Sequence, residues 1–246
     1  ELNIKYDISI LIIDDASEDQ TFQISKNLMD KSSDPFPIIS LKNPLNQGYG
    51  GNQKIGFFYA IKHNYDIVAL IHGDGQYAPE CLDQLLDPIN DSNADVVFGS
   101  RMLTRFGALK GNMPLYKYLG NKVLTKFQNF ILKSQLSEFH SGYRVYSVDS
   151  LRAIPFELNS DVFHFDTEII IQLMFAKKRI KELPIPTYYG NEISHVNGIR
   201  YAWDVFQTTL KAKAQKFAIY YDPKFDIPMV GQQNYVSKAG FPSSHS

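Results

Sequence analysis

Residues 70–80, LIHGDGQYAPE, end an apolar run on a carboxylate set between two glycines, with an amide two positions further on. A carboxylate beside an amide oxygen suits a hard divalent cation, which takes oxygen ligands and commonly keeps waters and substrate phosphates in its shell. Glycines flanking Asp74 let a diphosphate come close to the backbone. Two more polar clusters close apolar runs in the same way: Asp14-Asp15 after ISILII, and Gly99-Ser100-Arg101 after ADVVF. Arg101 can grip a phosphate with a two-pronged fork. One Gly-Asp-Gly is more often a turn than a metal site. Three such clusters, each at the end of an apolar run, point instead to phosphate and metal chemistry. Further along, Asp166 and Glu168 lie two residues apart in FDTEIIIQLMFAKK. On a helix they cannot share a face, so at most one of them serves a given site.

The elements that must position these groups alternate. ISILII reads as a strand, and the spaced apolar residues after it as a helix with Ser17 as N-cap. PIISLKN (37–43) reads as a second strand, followed by the glycine-rich NQGYGGNQ and a helix to about Lys62. DIVALI (66–71), a helix at 79–89 opened by Pro79, and the strand ADVVFGS (94–100) complete the alternation. A looser stretch leads into an amphipathic helix from about Leu115 to Lys133. Then come a strand at 141–147, a helix at 165–178, an edge strand at 180–189 marked by two prolines, and a helix at 201–214. This pattern predicts an α/β fold: a Rossmann-like, mostly parallel sheet with helices on both faces, a three-layer sandwich. Ligands of such sheets bind beyond the carboxyl ends of the strands, where all three clusters fall. Residues 1–215 form the domain, and 216–246 read as a tail or a linker to a further domain.

Composition limits the alternatives. With 246 residues, 44% hydrophobic, the chain can bury one large core. The 25 basic and 26 acidic residues leave a formal charge of −1, so no global field draws nucleic acid. Phosphate binding must therefore be local. The single cysteine, Cys81, excludes an internal disulfide and fits a reducing, cytoplasmic setting. No apolar run reaches the roughly 18 residues of a membrane span.

In order along the chain stand Asp14-Asp15-Ala-Ser-Glu-Asp-Gln-Thr, Asn46-Gln-Gly-Tyr-Gly-Gly, Asp74-Gly-Gln, Gly99-Ser-Arg, Ser141-Gly-Tyr-Arg and Phe165-Asp-Thr-Glu. Across residues 8–210 this series resembles the family 2 glycosyltransferases, in the branch of dolichyl-phosphate mannose synthase and bacterial polyprenyl-phosphate sugar transferases. The resemblance implies a GT-A fold, a nucleotide-diphosphate sugar donor, Mg or Mn, and transfer with inversion. The acceptor would be a polyprenyl phosphate or a glycan, reached from the surface of the membrane at its cytoplasmic face. Carried over, Asp14, Asp15, Asn46, Gly51 and Asp74 would bind the donor nucleotide. Asp74, Gln76 and His72 would serve the metal. Arg101, Ser141 and Arg144 would bind the acceptor or a phosphate, and Asp166, Glu168 and Arg101 would act in catalysis.

Three departures stand out. His72 occupies a place where the family usually has aspartate, and Glu138 stands near a position where aspartate is frequent. His140 and His195 are read as structural. The family's opening strand and helix have no counterpart before ISILII, so the sheet is expected to lack a central strand. Rival readings are a nucleotide- or carbohydrate-binding module without activity, a receiver-like domain using Asp14-Asp15, and a dinucleotide-binding oxidoreductase. Gly48, Gly50 and Gly51 do not follow the Gly-x-Gly-x-x-Gly spacing that the last requires.

Overall fold

The computed structural model describes residues 5–31, 36–190 and 197–227. His195 and the end of the tail lie outside them. Strand β1 (Ile10–Asp14) pairs in parallel with β2 (Ile38–Lys42). A second set has the order β3-β5-β4-β6, from β3 (Ile67–Leu70), β4 (Val96–Ser100), β5 (Arg144–Ser147) and β6 (Ile180–Pro184). β4 and β6 are parallel, whereas β5 runs antiparallel to both its neighbours. β6 closes one edge of this set, as its prolines require.

The two sets are not joined among the described residues: β1 pairs only with β2, and β3 only with β5. Helix α2 (Gly48–Lys62) packs against both β1 and β3 and ties the sets together.

Alternation along the strands splits the core into two faces. Val96, Phe98 and Tyr146 pack with Phe57 of α2 and with Phe165, Ile169, Ile170 and Leu173 of α7 (Phe165–Phe175). Val97 and Val145 pack on the other face with Leu85 and Leu86 of α3 (Leu82–Asn90). These are the three layers. α7 is buried almost all round, which explains its mostly apolar middle, EIIIQLMF, whose Glu168 and Gln172 are both hydrogen-bonded. Helix α1 (Thr21–Lys31) begins later than Ser17 implies, and Asp19 accepts the Thr21 N–H at 2.9 Å. Short helices α4 (Gly107–Lys110) and α6 (Val148–Arg152) flank the long α5 (Leu115–Leu132), which packs against α8 (Gly198–Lys216).

The start of the tail is not a free linker. Beyond α8 the chain turns back, buries Phe225 against Ile171 and Phe175 of α7, and places Lys224 Nζ 2.8 Å from Glu168.

Candidate active site

The donor-side loop is organised by Asp15. Its Oδ1 accepts from Asn43 Nδ2 and Gln47 N, both at 2.8 Å, and its Oδ2 from Gly48 N at 3.0 Å. A carboxylate at the start of α2 is favoured by the helix dipole, and all its bonds go to the protein. Asp15 therefore shapes the loop rather than facing a nucleoside. Asn46 does the same, accepting from Gly48 N at 2.9 Å. Gly50 and Gly51 seat the loop on residues 160–161: Gly50 N donates to Asp161 O at 2.8 Å, and a Cβ at Gly50 would collide with Ser160 O. The space at Gly51 is likewise filled by Gln47 and Asp161, so its smallness serves packing. Asp14 differs. It is buried, with Lys42 3.8 Å from Oδ2, while Oδ1 has no hydrogen-bond partner among the described residues. A buried acceptor left open in this way is costly unless a ligand donor meets it.

Beyond β3 and β5 lies a connected polar cluster. Arg144, 1% exposed, places Nη1 2.8 Å from Asp166 Oδ1, and its Nη2 donates to Phe139 O at 3.0 Å. The hydroxyl of Tyr49 donates to Asp166 Oδ2 at 2.8 Å and lies 3.0 Å from His72 Nε2. Because the single phenolic proton goes to the carboxylate, His72 donates from Nε2. Burial holds the His72 imidazole below its usual pKa, so it is neutral at pH 7. Its ring lies so close over Gly142 that a Cβ there would strike it. His72 is therefore turned to Tyr49 through Nε2, which is not the atom that would meet a metal.

Asp74 is exposed, and among the described residues its one hydrogen bond is from Gln76 N to Oδ1, at 3.1 Å. Gln76 uses its backbone oxygen to hold Thr187 and Tyr188. Among the described residues no three His, Cys, Asp or Glu side chains converge as a metal cage. The donor set fits a cation held by one carboxylate and completed by substrate phosphates and water, the usual manner of Mg²⁺.

Arg101 is committed to the protein. It is buried, its Nε donates to Glu138 Oε1 at 3.0 Å, Nη2 also bonds Glu138 and donates to His140 O at 2.8 Å, and Nη1 donates to Tyr189 Oη at 2.7 Å. Glu138 takes a further 2.7 Å bond from Asn121 Nδ2. Burial alone would raise the Glu138 carboxyl, but the guanidinium outweighs it and holds the pKa below the usual range. Glu182 on β6 fixes the backbone of this loop, accepting from Ser137 N at 2.7 Å and Glu138 N at 3.2 Å. Ser141 is buried under the same loop. Arg101 and Ser141 are thus parts of the wall, not free phosphate ligands.

His140 is buried in this wall, with Nδ1 2.7 Å from the Tyr201 hydroxyl. Burial pushes its pKa down from 6.5 to about 4. The unfolded chain then binds more protons than the folded one between those values, so stability is full above pH 6.5 and falls as pH drops toward 4. The slope is about 1.4 kcal/mol per pH unit, about 3 kcal/mol in all. Urea unfolding over this range should show that contribution in the wild type and lose it in His140→Asn. Equal pH slopes for the two proteins would contradict the assignment.

Glu168 faces away from Asp166. It is 1% exposed, accepts from Ser160 N at 2.6 Å, and meets Lys224 Nζ at 2.8 Å and His164 Nε2 at 3.6 Å. These contacts line a separate cavity of about 240 Å³ that also holds Asp204 and Lys211. Of the two carboxylates it is Asp166 that joins the cluster of Arg144 and Tyr49, while Glu168 points at the returning tail. The sequence did not single out Tyr49, Tyr189 or Tyr201. The phenols were hidden among 15 tyrosines, and only the pairing of Tyr49 with the His72 departure could have marked it.

An open buried carboxylate at the end of β1, an exposed one beyond β3 and a buried arginine–aspartate pair have the chemistry to suit a nucleotide-linked substrate. The solved structure of mannosyl-3-phosphoglycerate synthase from Rubrobacter xylanophilus matches over 90% of this chain and 68% of its own, with TM-score 0.60 and 17% identity, and it fixes the fold as GT-A. The model of glycosyl transferase family 2 matches residues 2–154, and the chain belongs to that family. A UDP-N-acetylglucosamine–dolichyl-phosphate N-acetylglucosaminyltransferase of Methanococcus voltae is 30% identical over 226 residues, 87% of this chain and 88% of its own. An undecaprenyl-phosphate mannosyltransferase of Micrococcus luteus is 28% identical over 185 residues, 75% of this chain and 73% of its own. The protein is a glycosyltransferase, and the receiver and oxidoreductase readings fall away.

Proposed function

We propose that the chain transfers a sugar from a nucleotide-diphosphate sugar to a polyprenyl phosphate at the cytoplasmic face of the membrane, with inversion. The observation that carries this is the exposed Asp74 in the loop beyond β3, the same loop that brings His72 to Tyr49 and the buried Arg144–Asp166 pair. The relatives that act on dolichyl and undecaprenyl phosphates by name, each aligned over most of its length, support the acceptor class.

In this reading Asp14 meets the nucleoside with its open Oδ1. Asp74 holds Mg or Mn against the diphosphate, with Gln76 beside it. When bound, the cation neutralises charge on the leaving nucleotide. Arg144, locked in its charged form by Asp166, supplies fixed positive potential toward the acceptor phosphate. A phosphate acceptor is already ionised, so no group has to remove a proton. Asp166 then acts by holding Arg144 and Tyr49 in place.

Incubation with polyprenyl phosphate, the free polyprenol, and a panel of uridine and guanosine diphosphate sugars tests this. Transfer to the phosphate and none to the alcohol is expected. Transfer to the alcohol alone would overturn the acceptor and restore Asp166 as a general base. Asp166→Asn should lower kcat on the phosphate acceptor by about tenfold to a hundredfold, the cost of one misplaced charged group. Its pH–rate profile should keep the wild-type shape. Loss of an acidic-limb pKa in the variant would show that Asp166 takes a proton.

A further inference from the structure

Helix α5 is inside out. Its buried residues are Tyr118, Asn121, Thr125 and Gln128, at helical spacing. Asn121 serves Glu138, Thr125 donates to Asn121 Oδ1 at 3.1 Å, and Gln128 reaches Thr167 at 3.5 Å. The opposite face carries Tyr116, Leu119, Val123 and Phe130, from 52% to 80% exposed. A surface helix normally buries its apolar stripe, so this one has its apolar face turned to whatever lies outside the domain.

The face continues onto α8. Phe127 of α5 stacks on Phe206 at 4.9 Å between ring centroids, Phe206 stacks on Trp203 at 5.6 Å, and Ile199 and Trp203 are 87% and 57% exposed. Its charge is as one-sided as its polarity. Residues 102–136 hold Arg105, Lys110, Lys117, Lys122, Lys126 and Lys133 and no Asp or Glu, in a chain whose formal charge is −1.

We infer that the α5–α8 face lies on an anionic lipid bilayer surface. Exposed apolar and aromatic side chains beside a band of lysines, on a helix lying along the surface, are what an interfacial helix needs. A second copy of the chain fits less well, because a self-complementary interface here would set like charges against each other. No helix among the described residues is long and apolar enough to cross a membrane. The surface itself is argued from polarity and charge alone. Its link to catalysis rests on the polyprenyl phosphate acceptor proposed above.

Cosedimentation with vesicles of phosphatidylcholine, with or without phosphatidylglycerol, tests it with no nucleotide or acceptor present, so its outcome is independent of the transfer reaction. The wild type should bind the anionic vesicles at least about tenfold more tightly than the neutral ones, with binding weakened by salt. Lys122→Gln/Lys126→Gln should lose about tenfold to thirtyfold, and Val123→Asp/Phe130→Asp should lose binding while keeping the wild-type melting temperature. Equal partition to both vesicle types, or none to either, overturns the inference. So does a Val123→Asp/Phe130→Asp protein that changes from dimer to monomer with vesicle binding intact, which would assign the face to a second copy.

Discussion

Asp74→Ala is expected to cut sugar transfer by about 10²–10³-fold or more while leaving the melting temperature where it was. The two halves of that expectation come from one observation. Asp74 is exposed beyond the end of β3, and among the described residues its carboxylate makes a single hydrogen bond, from Gln76 N. Removing an exposed side chain with one local bond changes stability by no more than about 0.5 kcal/mol. The chemistry is more sensitive. Departure of a nucleotide diphosphate concentrates negative charge on its oxygens, and a positioned counter-charge there is worth several kcal/mol in the transition state. Initial rates with manganese, read beside a thermal melt, check it. A variant that retains more than about a tenth of the wild-type rate would mean that the cation is held elsewhere or not used.

Glu138→Ala should have the opposite signature, a large loss of stability. The carboxylate is fully buried against Arg101 and bonded by Asn121, and the guanidinium it neutralises is itself buried. Truncation leaves that cation unpaired away from water, which costs about 3–5 kcal/mol. In a domain of this size that is a fall of about 10 °C in melting temperature. Replacing both partners with methionine should recover much of the loss, since a packed apolar pair avoids both desolvation penalties. A drop of less than about 2 °C in the single variant would show that water reaches Arg101, and would reopen it as a ligand for phosphate.

The architecture was legible because it rests on local signals: β-branched runs ending in polar clusters, a proline opening the 79–89 segment, and prolines marking β6 as an edge. The rule that Asp166 and Glu168 face apart also follows from helical geometry alone. Which one enters the cleft was not legible, since the answer lies in Arg144 on one side and Lys224 on the other, both distant in sequence. Asp15, Gly51 and Arg101 were assigned to ligands because their residue types suit phosphate or nucleoside. Each is instead satisfied by a distant part of the chain: the loop at 47–48, the backbone at 161 and Glu138. The α5 helix shows the same limit more sharply. Its apolar periodicity announced an amphipathic helix, but the buried face was the polar one, because Glu138 and Thr167 recruit Asn121, Thr125 and Gln128 inward.

The most direct measurement is the thermal stability of the purified chain against uridine, guanosine, adenosine and cytidine diphosphates, each with and without manganese. A ligand that binds only the folded state stabilises it by about 2.7 kcal/mol at a hundred times its dissociation constant. One nucleotide should raise the melting temperature by several degrees, with manganese only, and the shift should vanish in Asp74→Ala. A manganese-dependent shift that persists in that variant, or no shift with any nucleotide, would contradict the placement of a cation-bridged nucleotide diphosphate at the end of β3.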